Sequence, residues 1–182
     1  MPRLTALDPS SATGKAKLLL DAVQRKLGMT PNMTRTMAQS PAVLEAYLSF
    51  SAALGGGTLD AKLREQIALA VGELNRCQYC VSAHTAIGKM VGLNEKDLMA
   101  SRRGTSPERK VEEALRFAQT VIARRGEVSD DDMGRLRQAG YSDGEIAEIV
   151  ANVVLNIFTN YFNHVAQTEV DFPTVTLGVK AA

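Results

Sequence analysis

The sequence predicts an all-α chain folded as one domain, and three observations carry that expectation. Alanine, leucine and methionine are frequent, aromatic residues make up 5% of the chain and Trp is absent, a composition suited to helices rather than to a β-sandwich. Glycines, prolines and capping residues punctuate apolar stretches that repeat every 3 or 4 positions. No Val/Ile/Thr alternation of strand length occurs before Pro173-Thr174-Val175-Thr176. At 182 residues the chain is long enough for one domain with its own core. No repeat, low-complexity run or linker divides it, so residues 1–182 read as a single domain.

Each element has a local reason. From Gly14 to Leu27, Leu18, Leu19, Ala22 and Val23 recur at helical spacing, and Gly28 and Pro31 interrupt the run. A short connector leads to Ser40-Pro41, a cap and first-turn proline for a helix over Ala42 to Leu54, which Gly55-Gly56-Gly57 stops. Thr58 is placed to cap a helix from Leu59 to Leu74, striped by Leu63, Ile67, Ala70, Val71 and Leu74. Asn75 is the expected cap of a helix from Cys77 to Val91, closed by Gly92. Asn94 with Asp97 opens a short helix, and Ser106-Pro107 opens another that runs to about Ile122. Ser129 with Asp132, and Ser142 with Glu145, have the spacing of capping boxes. The second heads a long apolar helix through Ile146, Ile149, Val150, Val153, Val154 and Ile157. The last ten or so residues read as an arm. Arg102-Arg103 and Arg124-Arg125 read as solvated helix ends, where cations suit the dipole, and Met29, Met33, Met37 and Met90 as irregular core filling.

Charge and composition exclude several function classes. The formal net charge is +1, so nothing steers the chain towards nucleic acid or anionic lipid. The N-terminal MPRLTALDPSS has no apolar run of signal-peptide length and no other stretch is long enough to cross a bilayer, which predicts a cytoplasmic protein. Gly55-Gly56-Gly57 lacks the lysine and the strand context of a phosphate-binding loop.

The two cysteines carry the chemistry. They lie three apart in Cys77-Gln78-Tyr79-Cys80, too close to staple a small secreted fold, and in a reducing compartment such a pair reads as redox or metal chemistry. On one helix Cys77, Cys80 and His84 fall at i, i+3 and i+7, within a narrow face. Glu65 lies on the preceding helical segment, where a small bend brings its carboxylate towards the thiols; Glu73 reads as an exposed or capping carboxylate. A thiol near a helix N-terminus meets unsatisfied N–H groups and the positive end of the dipole, which favour thiolate. His84, one turn on, is placed to take the proton. Thiolate attack on a peroxide leaves a sulfenic acid, and a second thiol three residues away condenses with it before over-oxidation. Two plainer readings compete. Free cysteines pack well as small hydrophobes, and a structural zinc needs four ligands, of which CxxC supplies two, with His84 poorly placed and His164 the remaining imidazole.

The run from Glu65 through Val71-Gly72-Glu73 to Cys77-Gln78-Tyr79-Cys80-Val81-Ser82-Ala83-His84, with Gly92 beyond, resembles the carboxymuconolactone decarboxylase-like superfamily. More narrowly it is similar to the alkylhydroperoxidase D-like branch, which carries Glu, CxxC and His at these separations. The match covers roughly residues 40–100, and Asn160-Tyr161-Phe162-Asn163-His164 followed by Asp171-Phe172-Pro173 is similar to the peroxidase-related members. The resemblance implies a helical bundle of the alkylhydroperoxidase D-like type, assembled into homo-oligomers (trimers or hexamers) with the terminal arms in subunit contacts. It implies that Cys80 attacks a hydroperoxide, that Cys77 resolves, and that Glu65 with His84 forms the proton relay. The redox-active pair is then the only cofactor, recharged by an external dithiol such as a lipoylated carrier protein. One departure stands out: Tyr79 occupies the place where the best-known member has a second histidine. Tyr79 and His164 are candidate pocket residues. Two rival functions remain, a decarboxylase or isomerase of a small lactone or keto acid using His84 and Glu65, and a non-catalytic redox sensor.

Overall fold

The computed structural model describes residues 1–178, and these hold nine α-helices and no strand. In order they are α1 (Gly14–Leu27), α2 (Asn32–Met37), α3 (Pro41–Gly55), α4 (Ala61–Leu74), α5 (Gln78–Met90), α6 (Glu95–Arg103), α7 (Arg109–Ala123), α8 (Asp130–Gln138) and α9 (Asp143–Ala166). The central element is α4, which packs against α5, α6, α7 and α9. Its sequence suits that place, because every residue from Gln66 to Gly72 is buried and most are small or apolar. One apolar cluster joins Ile67 and Val71 to Leu115, Ile149 and Val153. A second joins Leu20, Met37 and Leu44 to Tyr79 and the two cysteines, so the N-terminal helices close over α5. Each fully buried Leu or Ile in these clusters contributes about 1.5–3 kcal/mol.

The capping boxes at Asn94/Asp97, Ser129/Asp132 and Ser142/Glu145 form with both reciprocal bonds. Other expected caps are corrected. Ser40 precedes α3 without a side-chain cap bond. Helix α7 begins at Arg109 after Glu108, and Ser106 Oγ instead accepts from the Glu108 amide at 3.1 Å. Thr58 does not cap α4; Asp60 does, accepting from Leu63 N. The Thr58 and Leu59 amides donate to the Glu148 carboxylate of α9 at 2.8 and 2.9 Å. The Leu59 amide first, and the Thr58 amide with it, hold that carboxyl below its usual range. A Cβ on Gly57 would stand 2.5 Å from Glu148 Oε2, so a larger residue there would displace the carboxylate from these amides.

The expected connector before Ser40 contains the six-residue helix α2. Sequence could not supply its N-terminus, because Pro31 has no capping side chain. The missing acceptor comes from across the chain, where Asp171 Oδ2 accepts from Asn32 N at 2.7 Å. Asp171 belongs to the C-terminal arm, which begins when Gln167 turns left-handed (φ 49°) and ends α9. The arm runs back over α5 without forming a strand, and Val175 N donates to Ser82 Oγ at 3.0 Å. Its final residues, 179–182, lie outside the described residues.

Arg102 is not a solvated helix end, and Glu73 is not an exposed carboxylate. Arg102 Nε donates to Glu73 Oε2 at 2.8 Å, and the two side chains are 5% and 10% exposed. A second Arg102 nitrogen donates to the Thr176 carbonyl at 2.6 Å, and Gly178 N donates to Glu73 Oε1 at 2.6 Å. The buried pair therefore pins the arm to α4 and α6. The N-terminal segment also lies on its own chain, with Arg3 N donating to the Ala166 carbonyl at 2.8 Å. Among the described residues no helix is long and apolar enough to cross a membrane.

Candidate active site

The site is built at the break between α4 and α5. Asn75 ends α4 instead of capping α5, Arg76 turns left-handed (φ 56°), and Cys77 is itself the N-cap of α5. A non-glycine residue in that conformation costs about 1–2 kcal/mol and is held by its surroundings. Here the Cys77 amide donates to the Gly72 carbonyl at 2.9 Å. Gly72 lets the two helices close up, since a Cβ on it would lie 3.2 Å from Val81 Cγ2 and 3.6 Å from Cys80 Cβ. Because Glu73 is separated from Cys77 by this turn, the two do not share a continuous helical stripe.

Cys77 and Cys80 form a disulfide, with Cα atoms 5.3 Å apart. Cys77 Sγ also accepts from the Cys80 amide at 3.3 Å, so sulfur takes the role an oxygen plays at most N-caps. Cys80 lies in the first turn of α5, where unsatisfied amides stabilise negative charge. Both cysteines are buried, at 1% and 2% exposure. They differ in what they face, because Cys80 lines a cavity of about 370 Å³ and Cys77 sits behind it. Because the two sulfurs are bonded to each other, neither cysteine is a free thiol packed as a small hydrophobe.

Glu65 and His84 line the same cavity and meet each other, His84 Nδ1 to Glu65 Oε2 at 2.7 Å. The bond fixes the imidazole and directs its other nitrogen, Nε2, away from the carboxylate. Helices α1, α2 and α3 close one side of the cavity; α4, α5 and α9 supply the other. Much of the wall is apolar, including Leu48, Leu54, Ile87 and Leu155, with Asn152, Asn156 and Thr159 presented by α9. Tyr47 of α3 also lines it; burial first, and then the Glu65 charge, push its phenol up to about 12.

The sequence profile described as the Carboxymuconolactone decarboxylase family matches residues 41–120, which contain α3 to α5 and therefore Glu65, the cysteine pair and His84. A peroxidase-related protein from Silicibacter sp. TM1040 superimposes with a TM-score of 0.80 at 25% identity over 92% of each chain. A peroxidase-related protein from Ralstonia eutropha JMP134, described as an alkylhydroperoxidase AhpD core, superimposes at 0.82 and 25% identity, covering 93% of this chain and 92% of its own. The profile match and the two peroxidase-related structures support a place for the chain in the carboxymuconolactone decarboxylase-like superfamily, on its alkylhydroperoxidase D-like side. The debrominase Bmp8, solved as a cysteine-to-alanine variant with 2,3,4-tribromopyrrole, shares the fold at 20% identity and a TM-score of 0.80, covering 94% of this chain and 92% of its own. A curated relative, an uncharacterized protein of Haemophilus influenzae, is 53% identical over 47 residues, a stretch that is 25% of this chain and 42% of that protein.

Within this helical scaffold the remaining candidates separate. Tyr79 lines the cavity and is structural at its hydroxyl, which accepts from Met33 N at 3.1 Å. Burial pushes this phenol far above its ordinary range, so Tyr79 does not replace a histidine as an acid or base at neutral pH. His164 is exposed and its Nε2 meets the Asn75 carbonyl at 2.9 Å; it does not line the cavity. Two participants escaped the sequence reading. Tyr47 gave no local signal, since its partners come from another helix. Asn163 did leave one: Ile146, Ile149, Val153, Asn156, Asn160 and Asn163 follow one another at 3- or 4-residue steps along a buried face of α9. An apolar face that turns to asparagine while staying in register marks polar partners inside. Among the described residues no three His, Cys, Asp or Glu side chains converge as a metal site.

Proposed function

We propose that this protein is a thiol-dependent hydroperoxide reductase that cycles Cys77 and Cys80 between dithiol and disulfide. The observation that carries the reading is Cys80 on the cavity wall, with its disulfide partner Cys77 behind it and the bonded Glu65–His84 pair on the same wall. In the first step the Cys80 thiolate attacks the terminal oxygen of ROOH, the O–O bond breaks, and ROH leaves after His84 returns a proton. Cys80 is then the sulfenic acid. The Cys77 thiol attacks that sulfur, closing the disulfide and releasing water. An external dithiol restores both thiols and becomes a disulfide itself. A lipoylated carrier protein suits the reductant role, because a slender pendant dithiol fits a cavity whose sulfurs are otherwise covered. A reducing, cytoplasmic setting belongs to the same proposal.

Support is strongest at the level of the branch, whose structural neighbours are peroxidase-related. The fold by itself does not select a substrate, since Bmp8 carries a different activity on it. Homo-oligomer formation, as a trimer or hexamer, is part of the proposal. Val150, Val154, Phe158, Tyr161 and Val165 support it, forming an exposed apolar stripe along α9 that a neighbouring subunit would cover.

The direct test follows consumption of hydrogen peroxide and an organic hydroperoxide with dihydrolipoamide, glutathione or thioredoxin as reductant. Turnover with dihydrolipoamide is expected to exceed the other two by at least about tenfold, because a protein dithiol such as that of thioredoxin cannot enter the cavity, and glutathione needs a second molecule to clear a mixed disulfide that dihydrolipoamide clears with its own second thiol. No turnover with any dithiol, together with lactone decarboxylation that survives alkylation of the reduced thiols, would replace this reading with acid-base catalysis by His84 and Glu65. Cys77→Ser should reduce one equivalent of hydroperoxide and then stall, and intact-mass measurement should find Cys80 as sulfenic and then sulfinic acid. Sustained turnover by that variant would show that Cys77 is not the resolving thiol.

A further inference from the structure

Asn163 lies outside the family match at residues 41–120, yet its amide reaches the sulfur of Cys80. Asn163 Nδ2 is 3.3 Å from Cys80 Sγ and 3.3 Å from Met33 Sδ. Two sulfur acceptors on one side fix the amide's orientation, because the flipped form would set Oδ1 against sulfur lone pairs. The residue is 4% exposed, and its Oδ1 is buried without a hydrogen-bond partner. A buried carbonyl oxygen left unpaired destabilises the fold. Neutral sulfur is a weak acceptor and offsets little of that, whereas a thiolate makes a charge-assisted bond roughly twice as strong as a neutral one. The amide is thus matched to a charged state of Cys80 rather than to the disulfide.

We infer that Asn163 is a catalytic residue, donating its Nδ2–H to the Cys80 thiolate and so holding charge on the sulfur that lines the cavity. The inference deepens the thiol reading above, and needs Cys80 to ionise but not any particular oxidant. The donor acts together with the helix N-terminus of α5, whose first-turn amides favour negative charge on Cys80. Its function is the same in both halves of a cycle: it stabilises Cys80 as nucleophile, and again as leaving group when a reductant's mixed disulfide is resolved. The titratable groups that share the cavity are Lys26 from α1, Tyr47 from α3, Arg64 and Glu65 from α4, and Tyr79 and His84 from α5. All are retained in an Asn163 variant, so a difference from the parent protein reports the amide.

The first measurement uses the unaltered chain. With Asn side chains labelled by ¹⁵N, the Asn163 amide resonance is expected to move on reduction and then to titrate with the same midpoint as alkylation of Cys80. A resonance indifferent to both would overturn the inference. The second compares Asn163→Leu and Asn163→Asp, each reduced and alkylated across pH, with fragment masses separating Cys80 from Cys77. Loss of the donor should raise the Cys80 midpoint by about one pH unit, a tenfold smaller thiolate fraction below both midpoints, and a carboxylate should raise it further. An unmoved midpoint in folded Asn163→Leu overturns the assignment; if that variant does not fold, the labelled parent decides. A chain that consumes no hydroperoxide yet shows these shifts would retain Asn163's role and lose the peroxidase reading, and the reverse pattern would do the opposite.

Discussion

Cys80→Ser should abolish hydroperoxide consumption, by roughly a thousandfold or more, while leaving the fold intact. A serine hydroxyl at neutral pH is almost wholly protonated and is a poor nucleophile towards an O–O bond, and loss of the reacting atom in a concerted site leaves little for its neighbours to do. The substitution changes one atom at a buried position, so near-native thermal unfolding is expected once the wild type is compared in its reduced form. Steady-state peroxide consumption with dihydrolipoamide measures the effect. Activity within tenfold of wild type would remove Cys80 from its assigned role. It would also turn attention to Glu65 and His84, which meet at 2.7 Å and could serve acid-base chemistry without sulfur.

The second large effect lies away from the chemistry. Arg102→Leu should destabilise the protein by about 3–5 kcal/mol, because it leaves the Glu73 carboxylate buried without its guanidinium. For a domain of this size that corresponds to a fall in Tm of roughly ten degrees. The Thr176 carbonyl also loses its donor, so the arm should exchange its amide hydrogens faster than in the parent. Replacing both partners, as Glu73→Leu with Arg102→Leu, should recover part of the loss, since the buried carboxylate is then removed together with its guanidinium. Thermal unfolding of the two variants is the measurement. A single variant that melts within two degrees of wild type would mean that the pair, though only 5% and 10% exposed, is replaced by water.

Much of this was legible locally. Three capping boxes, Asn94/Asp97, Ser129/Asp132 and Ser142/Glu145, depend on side chains three residues apart, and all three formed. The span Gly14–Leu27 was readable from periodicity and a terminal glycine. The misplaced caps share one cause. Thr58 was displaced because Glu148, ninety residues away, takes its amide, and α2 starts where Asp171 from the arm accepts Asn32 N. Arg102 looked like a solvated cation because nothing nearby in sequence says that Glu73 and the arm will cover it. The catalytic candidates divide in the same way. Cys77, Cys80, His84 and Glu65 are visible as spacing, whereas Tyr47 and Asn163 join them only by packing.

By itself, then, the sequence determined the helical class, most helix spans, and the residues whose relation is set by one or two helical turns. Such relations follow from backbone geometry, which is the same in every α-helix. Tertiary structure alone decided that Cys80 rather than Cys77 lines the cavity, that the Tyr79 hydroxyl is held by the Met33 amide, and that an α9 amide touches the Cys80 sulfur. Those outcomes depend on how side chains from distant segments share a limited, dry volume, and no short-range pattern encodes that competition.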